Sequence, residues 1–437
     1  DYKYDLFSVF IYRNFDFCKP DGYSGFMTPF VWMFIKNYQK LREYIINNKS
    51  ITTLVQMEYS AFKEATVPIC SFVLKNGSEA GKGLYFKLSE FTGGMKVQKE
   101  KILEAIENPQ KEYFFEATLE NFKKIPGAPI AYWANNQLIK DFSNAIPMEN
   151  ILDVRQGLAT ADNNRFLRLW HEVETEKCKF DSADASDLLT SGKKWIPYNK
   201  GGQRRQWYGN YDYLVNWEND GYEIKHFVDS KGKQRSAVRS PEYHFREAIT
   251  WSDITSGKFA IRYRRPGGIH DVTGMSAFSN KKTDLMFILG LVGTKLSNYI
   301  FNIINPTLHL QIGNFKTFPV LEADNQKNKI EILVRSNIEL SRLDWDMHET
   351  SWDFINSPLL VNKVNGLLSS TYESYKAEIN ERFAALKSNE EELNRIFIDI
   401  YGLQDELTPE VSEKDITVAK IFDSKEDIDE DIKGNKY

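Results

Sequence analysis

Cysteine is scarce: three in 437 residues, Cys18, Cys70 and Cys178, far apart and odd in number. Neither a disulfide framework nor a zinc-ligand set fits that spacing, so reduced thiols and a cytoplasmic location are expected. Histidine is nearly as rare. His171, His226, His244, His270, His309 and His348 show no HExxH spacing, and no metal ligand is expected among them. The phosphate-cradling GxxxxGK[ST] and the dinucleotide GxGxxG are absent too. A long apolar run is also missing, because Leu285 to Ile304 is interrupted by Thr294, Lys295, Ser297, Asn298 and Asn302, which excludes a membrane span as its reading. No secretory leader is expected from the opening residues. Its first residue is Asp1, inside what reads as a helix (DYKYDLFSVFIYRNF), so a piece of a longer protein is expected.

What is present suits folded domains. Hydrophobic residues make up 42% and aromatic residues 14%, enough for a sizeable core, and the length calls for two or three folded units. The formal net charge of -5 argues against a nucleic-acid binder, but its distribution argues the other way. Residues 193–268 hold 15 Lys and Arg against 8 Asp and Glu, with 14 aromatic residues, four of them Trp. A basic, aromatic-rich segment inside an acidic chain is the pattern of a phosphate-facing surface confined to one module. Residues 404–437 hold 11 acids against 5 lysines and read as a solvated, mobile tail.

Along the chain, residues 1–76 alternate helix and strand. One helix is expected from about Phe30 to Asn48, where Trp32, Ile35, Tyr38, Leu41 and Ile45 form an apolar stripe. Ile51–Met57 and Val67–Leu74 read as strands covered on both faces. The PGAP turn at Pro126–Pro129 reads as a domain boundary. Residues 130–320 are strand-rich and close with an apolar helix from about Asp284 to Ile304; from about Asn325 the spacing is helical. The chain is therefore read as four parts: 1–125, 126–323, 324–403 and 404–437.

The strand GKFAIRYRR (Gly257–Arg265) puts Phe259, Ile261 and Tyr263 on one face and Lys258, Arg262 and Arg264 on the other. Like charges on one strand face repel, so a polyanion would account for them; a solvated face paired with acids on neighbouring strands is the other reading. Arg265, Lys193, Lys194, Lys200, Arg204 and Arg205 extend the same theme. Arg can take phosphate or guanine bidentately, whereas Lys acts as a point charge. Most of the interleaved Trp and Tyr residues are expected in a core, and stacking on bases is the alternative.

The order DLFSVFIYRNF, GYSGFMTPFVWMF and LREYIINNKSITTLVQMEYSAFKEATVPICSFVLKN resembles the second half of the catalytic domain of amino-type DNA adenine methyltransferases. Further on, GLATADNNRFLRLWHEV, SGKKWIPYNKGG, WYGNYDYLVNWENDGYEIK, ITWSDITSGKFAIRYR and NPTLHLQIGNFKTFPV resemble the target-recognition region of the PglX methyltransferases of BREX phage-defence systems, and of related fused type II restriction-modification enzymes. The resemblance implies an α/β fold: the C-terminal half of a Rossmann-like methyltransferase sheet, then a mixed α+β target-recognition domain and a helical C-terminal region, with two strands forming a hairpin at the sheet edge.

It also implies an enzyme that flips an adenine from double-stranded DNA and methylates its exocyclic amine, with S-adenosylmethionine as donor. The family's donor loop and Asn/Asp-Pro-Pro-Tyr are missing from this sequence, whose Asn-Pro pairs, Asn108-Pro109 and Asn305-Pro306, continue with Gln and Thr. No catalytic residue, and no S-adenosylmethionine bound to this chain alone, is therefore expected. Carried over by position, Phe62, with Tyr59 as alternative, would stack on the flipped base; packing beneath the hairpin is the other reading. Asn163, Asn164 and Arg165 open the recognition module, where Asn can pair with adenine and Arg with guanine, although such clusters also build turns. Two functions stand: DNA target recognition, or a scaffold whose helical part docks other defence-system proteins. A fused nuclease is not expected.

Overall fold

The computed structural model describes residues 4–59, 67–253, 258–279, 281–306, 310, 312–361, 363–424 and 428. It is a mixed α/β protein with several sheets, and its contacts divide it into two compact units: residues 1–145 with 300–306, and residues 146–299 with 307–437.

The first unit is built on a five-stranded sheet in the order Tyr23–Pro29, Ile69–Lys75, Ser50–Gln56, Lys82–Lys87, Phe114–Thr118. Only the pairing of Ser50–Gln56 with Lys82–Lys87 is parallel. The hairpin expected at the sheet edge is interior, because Tyr23–Pro29 adds outside it and Phe26 stacks on Phe72 with ring centroids 5.2 Å apart. Leu54, Phe72, Leu74 and Tyr85 are fully enclosed, as strands covered on both faces require.

The single helix expected over Phe30–Asn48 is broken into two 3-10 turns, Phe30–Met33 and Lys36–Tyr38, followed by an α-helix, Gln39–Asn48. The reason is Arg42. Its side chain is 1% exposed and forms no ion pair among the described residues; instead Nη1 donates to the carbonyls of Trp32 and Ile35 (2.8 Å each), Nη2 to Gly127 (2.7 Å) and Nε to Gly127 and Ala128 (3.1 Å each). Those carbonyls reach the guanidinium only if the chain leaves the helix at Ile35, whose ψ is 138°. The PGAP turn, with φ of 81° at Gly127 and 47° at Ala128, thereby lies inside this unit.

The second unit holds two four-stranded sheets. One runs Ile269–His270, Trp195–Asn199, Tyr213–Asn216, Leu167–Leu169, and the other Ile261–Arg264, Ala248–Ser252, Gly274–Phe278, Asp153–Arg155. Helices follow, among them Lys282–Val292, Lys327–Asp346 and the 34-residue Leu368–Tyr401, which pack on one another where Gly290 meets Ile330, Val334 and Leu393. The apolar helix expected over Asp284–Ile304 is two helices bent by 78° at Gly293-Thr294. A Cβ at Gly293 would lie 2.7 Å from the Trp207 ring, and Thr294 turns its hydroxyl back to the Leu291 carbonyl, so the break is packed in place. Among the described residues no single helix is long and apolar enough to cross a membrane.

The expectation of a solvated tail fails over its described part. Val411, Ile416 and Val418 are buried, Ala419 N–H donates to Asp344 (2.8 Å), and Asn380 exchanges two hydrogen bonds with the Ile421 backbone. Three buried apolar positions among many acids help to fasten it, which a composition count hides.

Arg42→Lys keeps the charge but cannot make five hydrogen bonds to these four carbonyls, and should cost roughly 3 kcal/mol of stability. Urea unfolding of the variant beside the wild type measures it; an unchanged midpoint would show that the guanidinium does not organise this unit.

Candidate nucleic-acid interface

The basic strand is where expectation and structure part. Ile261–Arg264 is the outer strand of its sheet, yet its open edge is covered: Trp207 N–H donates to the Ile261 carbonyl (3.0 Å) and Tyr263 N–H to the Trp207 carbonyl (2.8 Å). Arg262 and Arg264 are 1% and 2% exposed. The Arg264 Nη2 donates to the Gly268 carbonyl (2.8 Å), and Arg262 Nη1 to the Arg205 carbonyl (3.4 Å). Burial lowers both side chains to about 10, with the nearby Tyr211 acting in the opposite direction. The cationic strand face is thus an interior face, because the loop Arg205–Tyr208 and the tail close over it. Neither arginine can touch a duplex.

The flanking cations are largely satisfied within the protein. Lys258 pairs with Asp415, Arg265 with Asp353 (2.7 Å), Arg205 with Asp344 (3.2 Å) and Lys194 with Glu218 (3.1 Å). Lys193 donates to the Glu176 carbonyl, and exposed Arg204 to that of Asp415 (3.0 Å). Lys200 sits 4.8 Å above the Tyr213 ring. Trp195, Trp207, Tyr208, Trp217 and Trp251 are buried, so these aromatics are core.

Asn163, Asn164 and Arg165 are exposed on the short helix Asn163–Phe166. Asp162 caps it by accepting from the Arg165 N–H (3.1 Å), and Asn163 accepts from the Thr160 hydroxyl (2.5 Å). The cluster therefore builds a turn and also presents side chains. Arg165 pairs with Glu223 at 2.8 Å and lies 4.9 Å over the Phe227 ring. Tyr59 is 61% exposed, beside buried Glu58, which accepts from the Gly93 and Gly94 N–H groups; Phe62 lies outside the described residues.

Sequence reasoning counted Lys231, Lys233, Arg235 and Arg239 into the basic segment but did not single them out. All four are exposed, and no ion pair forms on them among the described residues. Their alternation in SKGKQR was the available signal. A 380 Å³ cavity elsewhere in this unit has mixed charge, Asp153, Asp284 and Glu322 against Lys281 and Lys327, and offers no surface to a polyanion.

With this geometry established, the chain can be set beside known proteins. Residues 1–62 match the family described as Eco57I restriction-modification methylase. Over 428 residues, 96% of this chain, the sequence is 38% identical to the adenine-specific methyltransferase PglX of Lacticaseibacillus casei (strain Zhang). The chain resembles adenine-specific methyltransferases along nearly its whole length. A second relative, the adenine-specific methyltransferase BrxX of Escherichia coli O9:H4 (strain HS), is 32% identical over 417 residues, 93% of this chain. The chain spans about a third of the length of both, 35% and 32% respectively. Among solved structures, the type IIL restriction-modification enzyme MmeI in complex with DNA has a similar fold, with a TM-score of 0.51 at 10% identity, over 90% of this chain and 48% of that one.

Two outcomes follow from the buried groups. Arg264→Ala should lower stability by roughly 3 kcal/mol, measured by chemical denaturation, because it strips donors from enclosed carbonyls; an effect confined to DNA affinity would contradict its burial. Glu390, on the long helix, accepts from Trp207 Nε1 (2.7 Å), and burial raises it from 4.5 to about 7 despite that bond. A carboxyl raised in the folded state favours folding while protonated, so the contribution of Glu390 to stability is fully present below pH 4.5 and is lost as pH rises through about 7. Glu390→Gln should flatten that slope in thermal unfolding against pH; a slope equal to the wild type would refute it.

Proposed function

We propose that this chain is the DNA target-recognition part of an S-adenosylmethionine-dependent adenine-N6 methyltransferase of a phage-defence or restriction-modification system. The observation that carries the reading is the similarity to two adenine-specific methyltransferases over more than nine-tenths of the chain. A fold like that of MmeI, whose structure includes DNA, supports double-stranded DNA as the partner. On this reading residues 1–125 are the C-terminal half of a Rossmann-like methyltransferase sheet. Its strand Tyr23–Pro29 pairs on one side among the described residues, leaving an edge that further strands would extend.

The recognition module, read over residues 126–323, chooses the sequence from the part of it that lies in the second unit, with Asn163, Asn164 and Arg165 offered to base edges. Residues 324–403 brace that module. Tyr59 or Phe62 stacks on the extruded adenine, which must leave the duplex before a methyl donor can reach its amine. The donor-binding and proton-removing groups lie in the remainder of the enzyme, and this chain supplies position and specificity.

In the full-length enzyme, Asn164→Ala and Arg165→Ala should relax sequence preference by about 1–3 kcal/mol per lost base contact, read as methylation of duplexes with single substitutions. Unaltered preference would remove these side chains from the readout. The 437-residue chain alone should show no heat of S-adenosylmethionine binding; micromolar binding in calorimetry would overturn the division of labour.

A second reading has its own observation. Ile355, Leu360, Val361, Leu367 and Leu368 are more than half exposed, an apolar surface suited to another protein of the defence complex. A scaffold of that kind would leave the chain without salt-dependent affinity for DNA.

A further inference from the structure

We propose that the basic hairpin formed by residues 227–239 is the element that grips the phosphate backbone of duplex DNA, beside the exposed Asn163–Arg165 turn. This inference rests on DNA recognition as the chain's function and assigns that function a surface. The charge balance leads to it. Of the cations in residues 193–268, Arg262 and Arg264 are buried, Lys194, Arg205, Lys225, Lys258 and Arg265 pair with acids, and Lys193 and Arg204 donate to carbonyls of the same chain. The local excess of positive charge therefore emerges at Lys231, Lys233, Arg235 and Arg239, which are exposed and unpaired among the described residues.

The hairpin is built to hold them out. Asp229 N–H donates to the Lys233 carbonyl (2.9 Å), Gly232 N–H to the Asp229 carbonyl (3.0 Å) and Arg235 N–H to the Phe227 carbonyl (2.9 Å). The one carboxylate at the tip, Asp229, is engaged by the backbone N–H groups of Lys231 (2.8 Å) and Lys233 (2.9 Å), which fixes the loop. Gly232 takes φ of 74° at the turn, and a Cβ there would meet nothing within 4 Å. The base is anchored as well: Ala237 and Ala159 exchange backbone hydrogen bonds of 2.9 Å, tying the hairpin to the loop that leads into Asn163.

Phe227 joins the two. Arg165 lies 4.9 Å and Arg235 5.4 Å from its ring centroid, so the candidate base-reading turn and the basic hairpin share one aromatic contact. Lys233 and Arg235, two residues apart on the returning arm, lie about 6.6 Å apart along extended backbone, and Lys231 sits in the turn before them. A two-stranded ribbon is of a size that the major groove admits, and cations beside hydrogen-bonding side chains give the usual division between phosphate contacts that position and base contacts that specify.

The test uses the 437-residue chain with Lys231→Gln/Lys233→Gln and with the triple change that adds Arg235→Gln. Affinity for a mixed-sequence duplex is measured by fluorescence anisotropy across a salt series, with poly-L-glutamate as the control polyanion and the thermal midpoint as the control for folding. The double variant, which alters only the tip, carries the test if the triple change lowers that midpoint. The expected result is roughly tenfold weaker binding at low salt, equal for all duplex sequences, with the slope of log K against log salt reduced by about two in the double variant and about three in the triple. Wild-type affinity and slope in the variants, while the parent binds duplex, would overturn the hairpin assignment and leave DNA recognition standing. A parent chain that binds no duplex at low salt would overturn both. Binding of poly-L-glutamate as strong as that of duplex would overturn the assignment to DNA.

Discussion

A guanidinium taken out of water needs acceptors for its five N–H groups, and the first unit is arranged around supplying them to Arg42. Arg42 takes its acceptors entirely from backbone carbonyls, so two 3-10 turns, one helix and a glycine turn are held in fixed relation by one side chain. Arg264 does so only in part, its Nη2 donating to Gly268 and Arg246 while its Nη1 finds no acceptor among the described residues. Carbonyls carry partial charge and cannot titrate, so these sites hold a cation without a counter-ion whose protonation would release it. The accompanying cost of burial is visible in the fall of Arg42, Arg262 and Arg264 to about 10.

The same constraint separates structural from surface charge in the basic segment. An arginine on a sheet edge can be solvated, paired or covered. Here Gln206 decides: its side chain accepts from Ile261 N–H (3.0 Å) and donates to the Gly293 carbonyl (2.9 Å), while its own N–H donates to Thr417 (3.1 Å). One residue thus ties the loop to the strand, to the helix break and to the tail. Once that loop is fixed over the edge, Arg262 is enclosed whatever its charge, and Lys258 meets Asp415 from the tail that completes the cover.

This explains what the sequence could and could not reveal. Period-two alternation correctly put Phe259 and Ile261 on a packing face, and helical spacing in YKAEINERFAALKSNEEELNRIF marks part of the helix Leu368–Tyr401. The other strand face was misread because its cover comes from residues 205–208 and 411–418, more than 50 and 140 positions away, and nothing local to the strand records them. The break at Ile35 was missed for the same reason. An apolar stripe registers burial, whereas the departure from helix is imposed by carbonyl acceptors for Arg42. At the candidate interface, Asn163–Arg165 was legible as a cluster, but the hairpin was hidden in a net charge that averaged buried, paired and free cations together.

Net charge is a sum over groups whose roles differ, and only the exposed, unpartnered ones create a field that an approaching polyanion can feel. Applied to residues 193–268, that filter discards Arg262 and Arg264 by enclosure and Lys194, Arg205, Lys225, Lys258 and Arg265 by pairing. What survives includes four exposed cations clustered on one hairpin, Lys231, Lys233, Arg235 and Arg239, whereas exposed Arg204, held by a carbonyl, keeps its charge elsewhere. A patch that persisted only as a remainder of chance would have no reason to be stiffened by Asp229, rooted at Ala159 and braced through Phe227 against the turn bearing Asn164. Those contacts restrict the hairpin and leave it a net positive charge, and a stiffened cationic ribbon is stabilised most by a partner whose negative charges are regularly spaced.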